Sequence, residues 1–265
     1  MRKAAVRAAN DAAAAGKRLA DYLSKRAGVA VVPFVASSYG TLVRGFTEGW
    51  VDFGWLPPLV YVMASQSGKA EPLAKFVRLG KGSYHGAFIV RASSRFKTLQ
   101  SLEGKRIAYT DPRSSAGYLF PRAHLRRLGL EPDAFFSQQA FLGSHKRVVG
   151  AVLDGRAEVG VTFFSPQEGR EPGAAAWTQH FPVRAREIRV IAQTPAIPSD
   201  VIAARAGCPK DVAEKVRAAF IAMGDDPVGR EILSSIFNAE RAIPANASEY
   251  VEIERMIQTK PRKKP

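Results

Sequence analysis

The sequence predicts an α/β protein with two similar lobes, each a mostly parallel sheet flanked by helices. Its 265 residues are enough to bury one large core or two modest ones. Strand-like and helix-like segments alternate along most of the chain, which is typical of α/β layers. A segment of the first part also recurs without a gap later in the chain. Length, alternation and repeat together favour two lobes over one.

The first helix is predicted over residues 11–26, because Leu19, Tyr22 and Leu23 form an apolar stripe and Gly28 follows as a stop. The elements predicted after it are a buried strand at 29–36, a helix at 38–48, a strand at 51–56, a helix at 58–66 and a strand at 87–91. The later predictions are strands at 105–110, 139–142, 157–164 and 187–194, helices at 114–128, 144–154, 212–223, 229–237 and 247–258, and a loop at 166–173.

The repeat joins SYGTLVRGFTEGWVDFGWL to SHKRVVGAVLDGRAEVGVT at a constant offset of 106 residues. The matched pairs are Ser38 with Ser144, Tyr39 with His145, Gly49 with Gly155, Asp52 with Glu158 and Gly54 with Gly160. Each copy reads as strand, Ser cap, helix, Gly stop, acidic residue and strand. One interpretation is that all βαβ units look alike. The other is that each lobe offers a capped helix N-terminus at the carboxyl end of a strand, where open α/β sheets bind ligands.

A second candidate site follows the strand at 105–110. Ser114, Ser115, Ala116 and Gly117 stand between that strand and a helical pattern. Serine caps helices, so a structural explanation is sufficient by itself. The alternative is that hydroxyls and free backbone N–H groups at a positive helix end bind an oxyanion. Tyr84, before the strand at 87–91, is open to both a packing and a binding interpretation.

Several function classes lack support in the sequence. The phosphate-loop, dinucleotide-binding and nucleophile-elbow motifs are missing, and the four histidines lack metal-ligand spacing. The single Cys208 excludes an internal disulfide. The net charge of +15 permits nucleic-acid binding, but the basic residues are dispersed, and a positive field equally helps to gather small anions. We therefore expect no enzyme, no cofactor, no metal and no nucleic-acid partner.

Four segments resemble one known family, and the resemblance runs from about residue 19 to residue 237. They are DPRSSAGYLFP, SSYGTLVRGFTEGWVDFGWLPPLVYVMA, FLGSHKRVVGAVLDGRAEVGVTFF and TPAIPSD. These segments are similar to the phosphate, phosphite and phosphonate substrate-binding proteins of ABC transporters, the PhnD-like family. The resemblance implies a type 2 periplasmic-binding-protein fold with a cleft between lobes. It implies one lobe from 1–88 and 194–265, another from 89–193, and closure about the crossing segments 84–91 and 188–200.

The resemblance also implies a ligand site. On matching positions the site falls on Tyr39, Tyr84, Ser114, Ser115, Ala116, Gly117, His145 and Asp200. Serine hydroxyls and helix N–H groups would bind the oxygens, the ring side chains would add donors, and Asp200 would accept from a protonated oxygen or an amino group. Two departures stand out. Ala116 replaces the third serine of the signature, and the strand that precedes the first helix in the family is missing.

The function expected from the resemblance is capture of a small phosphorus oxyanion for an ABC importer. The partners implied are the anion and the transporter permease in the membrane, with the binding protein itself a monomer. The location implied is the periplasm, or anchorage outside the cytoplasmic membrane. The first residues lack the apolar segment of a signal peptide, which leaves open a start upstream of the printed sequence. Alternatives are a ligand sensor on the same fold, a protein that binds an organic molecule, and a basic nucleic-acid-binding protein.

Overall fold

The computed structural model describes residues 2–67, 70–167 and 170–258. The chain divides into two compact units. The first contains the residues up to Gly82 and Ser199–Ile253, and the second contains Ser83–Pro198 and the end of the last helix from Glu254. The chain thus passes from the first unit to the second after Gly82 and returns to the first after Pro198.

Helices and strands are interspersed along the described residues. The helices are α1 (Arg2–Ala27), α2 (Tyr39–Glu48), α3 (Pro58–Gln66), α4 (Phe120–Arg127), α5 (Pro132–Phe135), α6 (His145–Leu153), α7 (Ala176–His180), α8 (Lys210–Ile221), α9 (Pro227–Phe237) and α10 (Val251–Gln258). The strands are β1 (Phe53–Leu56), β2 (Ala70–Val77), β3 (Ser83–Arg91), β4 (Arg106–Tyr109), β5 (Gln138–Phe141), β6 (Val159–Gln167), β7 (Arg170–Ala175), β8 (Ile188–Gln193), β9 (Ile197–Pro198), β10 (Val201–Arg205) and β11 (Arg241–Pro244). The predicted α/β class is confirmed.

The sheet of the first unit has the order β1-β10-β2-β11, and each of these pairs is antiparallel. The prediction of a mostly parallel sheet is therefore wrong for this unit. The reason is that β10, from late in the chain, lies between β1 and β2 and runs opposite to both. The core beneath the sheet is formed by α1, α8 and α9 and includes Leu23, Phe76, Ile202, Phe220 and Phe237. The predicted apolar stripe of the first helix is confirmed by its place in this core.

Residues 29–36, predicted as a buried strand, are not a strand. Val32 is 87% exposed, and Phe34 and Val35 are more than half exposed. Pro33 in the middle of the run has no N–H to give to a ladder and fixes its own φ. Without this strand, β1 has no parallel neighbour in the described part of the unit, and its pairing is with β10 alone.

The sheet of the second unit is mixed. Its order is β5-β4-β6-β3-β8, with β7 beside β6 and β9 beside β3. Strands β4, β5 and β6 are parallel, whereas β3 runs antiparallel to β6, β8 and β9. The mostly parallel prediction thus holds only for the β5-β4-β6 part, because β3 enters from the other unit in the opposite direction.

The two faces of this sheet carry different helices. Ala87 and Ile89 of β3 share a cluster with Val152 of α6, whereas Phe88 of β3 shares one with Leu125 of α4. Since alternate strand residues point to opposite faces, α6 and α4 cover opposite faces of the sheet.

Two further predictions are wrong or incomplete. The predicted loop at 166–173 is occupied by the end of β6 and by β7, with 168–169 outside the described residues. Strand β2 was not predicted, although it lies inside the first sheet between β10 and β11.

The sequence repeat is a structural repeat. Ser38 caps α2 and Ser144 caps α6, and each hydroxyl accepts a backbone N–H from the first turn (3.1 and 3.3 Å). Gly49 and Gly155 follow the helices with φ of 81° and 72°, a left-handed conformation that favours glycine.

The repeated acidic residues each pair with an arginine of a neighbouring strand. Asp52 accepts from Arg205 at 2.8 Å, and Glu158 accepts from Arg106 at 2.7 Å. The guanidinium of Arg106 holds the pKa of the Glu158 carboxyl at about 2. Both acids thus fix the start of a strand to its neighbour.

None of the described helices has the length and apolarity needed to span a membrane.

Candidate functional site

The serine tip, residues 114–117, is a buried turn between β4 and α4. The Ser114 hydroxyl accepts the backbone N–H of Gly117 at 3.0 Å, which is the predicted cap. A single π-helical turn, Ser115–Leu119, then leads into α4. Serines 114 and 115 are 5% and 2% exposed, so both hydroxyls lie inside the protein.

Gly117 is required by a close approach to Thr110. A Cβ atom at position 117 would lie 1.9 Å from Oγ1 of Thr110, which no side chain tolerates. The Thr110 N–H also donates to the carbonyl of Gly117 at 3.3 Å. The serine tip is therefore held directly over the end of β4.

The other side of the serine tip rests on β3. A Cβ atom at Gly86 would lie 2.9 Å from the carbonyl oxygen of Ala116, so glycine allows the tip to approach this strand. The N–H of Gly86 donates to the hydroxyl of Thr194 at 2.9 Å, which fixes β3 at this point. Ala116 thus faces β3 with its carbonyl group.

His145 is the first residue of α6 and lies half-buried. Its Nδ1 atom is 2.8 Å from Oγ1 of Thr162 on β6, and its ring meets the Phe163 ring edge-on with centroids 5.0 Å apart. Burial, with a smaller contribution from His180, lowers the pKa of His145 to about 4. The imidazole is therefore neutral at physiological pH, and it offers a dipole rather than a charge.

Strand register places the imidazole and the serine tip at one level of the sheet. Ala108 of β4 pairs with Gly160 of β6. Thr110 is therefore level with Thr162. Thr162 in turn pairs with Ala87, the neighbour of the glycine that contacts the serine tip. The imidazole lies on the α6 face and the serine tip on the α4 face, so the two groups flank the carboxyl edge of β4.

The structure places the other predicted residues as follows. Tyr84 is on β3, two residues before Gly86, and pairs with Ile197 of β9. Tyr39 is the first residue of α2, and Asp200 precedes β10, so both belong to the first unit. The second unit thus brings six of the eight predicted residues to one region of its sheet.

Asp200 is already engaged by two donors. Its Oδ2 atom accepts from Trp55 Nε1 and from the Arg78 guanidinium, each at 3.2 Å. The same guanidinium donates twice to the carbonyl of Phe237, at 3.0 and 3.1 Å. The Asp200 carboxylate is thus paired with a cation of its own unit.

Sequence reasoning missed the threonines around the site: Thr110, Thr162 and Thr194. All are 3% exposed or less. The signal was present, since each is a hydroxyl residue at the end of or within an otherwise apolar strand, but threonine is also common in strands for packing reasons. Arg78 was missed because β2 was missed.

The groups at this edge of the sheet are mostly hydrogen-bond donors. Hydroxyls, backbone N–H groups and a neutral imidazole suit an anion with several acceptor oxygens. Among the described residues, no cluster of three or more His, Cys, Asp or Glu side chains could hold a metal ion.

Comparison with solved structures identifies the fold. The structure of PhnD1 from Prochlorococcus marinus in complex with methylphosphonate superposes with a TM-score of 0.77 at 20% identity, over 91% of this chain and 90% of that one. The chain thus has the type 2 periplasmic-binding-protein fold.

Sequence comparison identifies the family. The model for the periplasmic phosphonate substrate-binding proteins of ABC transporters matches residues 5–250, and the chain belongs to that family. The phosphate-import protein PhnD of Mycolicibacterium smegmatis is 30% identical over 151 residues, which is 53% of this chain and 47% of that relative. The phosphonates-binding periplasmic protein of Escherichia coli is 24% identical over 219 residues, 81% of this chain and 62% of that one. The matches span about half to three fifths of these two relatives.

Proposed function

We propose that this protein binds a small phosphorus oxyanion, namely a phosphonate, phosphite or phosphate, and delivers it to an ABC importer. The observation that carries the proposal is the convergence of the serine tip and His145 on one sheet edge of the second unit. Anions bind at helix N-termini because free N–H groups and the helix dipole point at them. Family membership supports the same class of ligand.

Each group has a distinct role in the proposal. The hydroxyls of the serine tip and the backbone N–H group of Ala116 donate to the phosphoryl oxygens, whereas the N–H groups of Ser114 and Gly117 already donate to the Asp111 carbonyl and to the Ser114 hydroxyl. His145 and Tyr84 add donors from neighbouring elements. Tyr39 and Asp200 are included as ligand contacts only because their positions in the sequence match those of the family's site. Since the imidazole is neutral, binding relies on directed hydrogen bonds more than on a cation at the site.

The proposal extends to partners and location. The protein acts outside the cytoplasmic membrane as a monomer, and its partner is the permease of the transporter. It performs no catalysis and binds no nucleic acid. The positive net charge gathers anions by electrostatic steering.

Isothermal titration calorimetry tests the proposal with methylphosphonate, phosphite, inorganic phosphate and sulfate. Ser115→Ala and His145→Gln each weaken binding by about tenfold or more, because a hydrogen bond to a charged group contributes about 1.5–3 kcal/mol. Ser235→Ala, at an exposed position of α9, is the matched control and leaves affinity unchanged. Unchanged affinity in the two site variants, or no binding of the phosphorus anions by the unsubstituted protein, contradicts the proposal.

A further inference from the structure

We propose that Thr162 is a positioning residue for ligand binding. Its hydroxyl donates to Nδ1 of His145 and thereby holds the neutral imidazole with its proton on Nε2, directed at the ligand. The inference deepens the function proposed above and rests on it.

The packing of α6 on β6 sets up the contact. A Cβ atom at Gly160 would lie 2.7 Å from Val148 of α6, so helix and strand touch at this level. Thr162 is the next residue of β6 on the same face, and His145 is one helical turn before Val148. The side chains at 162 and 145 therefore meet, and their Oγ1 and Nδ1 atoms are 2.8 Å apart. The Phe163 ring packs against the imidazole, with the two ring planes at 75° to each other.

The hydrogen-bond partners of Thr162 indicate which nitrogen of the His145 imidazole carries the proton. Thr162 is fully buried, and within the described residues its hydroxyl has no hydrogen bond other than the one to His145. A buried hydroxyl proton needs an acceptor, and an unmet donor costs about 1–3 kcal/mol. If Nδ1 carried the proton, the hydroxyl proton would have no acceptor. With the proton on Nε2, the hydroxyl donates to the Nδ1 lone pair and both groups are satisfied.

The first copy of the repeat shows that packing does not demand a hydroxyl at this position. The residue equivalent to Thr162 is Leu56, which is fully buried, and the residue equivalent to His145 is Tyr39. An apolar side chain thus fills the strand position in one copy, whereas the copy with an imidazole has a hydroxyl. The hydroxyl is therefore present in the copy that contains the imidazole it can orient.

The orientation matters because the ligand is an anion. The Nε2 atom lies on the ring edge away from Thr162, and an N–H there donates to an oxyanion. The other tautomer would present a lone pair and repel it. His180 acts electrostatically on the ring of His145. Burial, with a smaller contribution from Lys146, keeps the pKa of His180 below its usual range, so that this imidazole too is neutral at pH 7.

Nitrogen-15 NMR of the ligand-free protein tests the tautomer. With labelled histidine at pH 7, the ring of His145 shows a protonated Nε2 and an unprotonated, hydrogen-bonded Nδ1, and His145→Gln assigns its signals. In Thr162→Val the Nδ1 resonance moves to that of an acceptor without a hydrogen bond. A proton on Nδ1 in the unsubstituted protein overturns the inference.

Binding measurements test the consequence with methylphosphonate as the probe. Thr162→Val keeps the shape of the side chain and weakens binding about tenfold, whereas Thr162→Ser keeps the hydroxyl and stays within about twofold. Thermal melting confirms that both variants fold. In the His145→Gln background Thr162→Val has no further effect, because Thr162 acts through the imidazole.

Two binding results overturn the inference: no loss in Thr162→Val, or the same loss with and without His145. Absence of binding by the unsubstituted protein contradicts the proposed function instead. The nitrogen shifts of the ligand-free protein still decide the tautomer in that case.

Discussion

Gly160 of β6 lies so close to Val148 of α6 that a Cβ atom at 160 would be 2.7 Å from Val148 Cγ1. The first unit repeats this relationship, since a Cβ atom at Gly54 would lie 2.7 Å from the ring of Phe46 on α2. In both units the glycine lets the capped helix approach its strand. The glycine therefore sets the position of the residue that opens the helix, which is His145 in the second unit.

Gly160→Ala is expected to destabilise the protein by about 1–3 kcal/mol, because the added methyl group overpacks the interface between α6 and β6. Urea unfolding measures the loss. Gly150→Ala is the matched control on α6, since a Cβ atom there would meet only Phe181 at an ordinary 3.5 Å. The control is expected to be neutral or slightly stabilising, as alanine favours helices. Equal losses in both variants would count against the close approach.

Acid is expected to destabilise the protein through its histidines. The pKa of His145 is about 4 in the folded protein and about 6.5 when unfolded, so between these values the unfolded chain binds more protons. The stabilisation is complete above pH 6.5 and is lost as the pH falls towards 4. The contribution of His145 to the free energy of unfolding is below ~3 kcal/mol, because the ring is only half-buried and solvent reduces the effect. His124 and His180, whose pKa values burial also lowers, contribute in the same direction.

The free energy of unfolding, measured in urea between pH 7 and pH 4, tests this sign. His145→Gln is expected to flatten the slope, because glutamine does not titrate. The slope rather than the absolute stability is compared, since the variant also loses the contact with Thr162. A slope identical to that of the unsubstituted protein would refute the assignment.

Arg78→Met is expected to destabilise the protein by about 3 kcal/mol. The substitution leaves the Asp200 carboxylate and the Phe237 carbonyl without their cation in a site where Arg78 and Asp200 are less than a fifth exposed. Arg18→Met is the matched control, because Arg18 pairs with Glu231 on the surface, where an ion pair contributes less than about 1 kcal/mol. Chemical unfolding of both variants measures the difference, and similar losses would show that the pairing of Asp200 is unimportant for stability.

The local features of the fold were predictable because neighbouring residues determine them. Ser38 and Ser144 cap their helices by accepting an N–H from the next turn. Gly49 and Gly155 end the helices through their own conformational freedom. Each of these effects is contained within a few residues, and the repeat made it visible twice.

The direction of strand pairing was not predictable, because residues distant in sequence decide it. β10 pairs with β1 across about 150 residues of chain, and nothing in either strand records whether the partner runs parallel. The apolar run at 29–36 has the composition of a strand but has no partner in the described chain. Thr162 was missed for a similar reason, since its role depends on the histidine that α6 brings to it.

Ala116→Ser restores the hydroxyl that the resemblance leads us to expect at this position. Ala116 is 2% exposed, so a hydroxyl there is shielded from water, and burying it without a protein acceptor costs about 1–3 kcal/mol. In the complex proposed above, the bound oxyanion supplies the acceptor. We therefore expect the ligand-free melting temperature to fall by a few degrees and the shift induced by methylphosphonate to grow.

Differential scanning fluorimetry with and without methylphosphonate measures both effects. Ala203→Ser is the matched control, because Ala203 is fully buried in β10 of the first unit. It is expected to lower the melting temperature equally with and without ligand. If Ala116→Ser behaves like this control, the side chain at 116 does not contact the anion, and the serine tip binds through its backbone and its other hydroxyls alone.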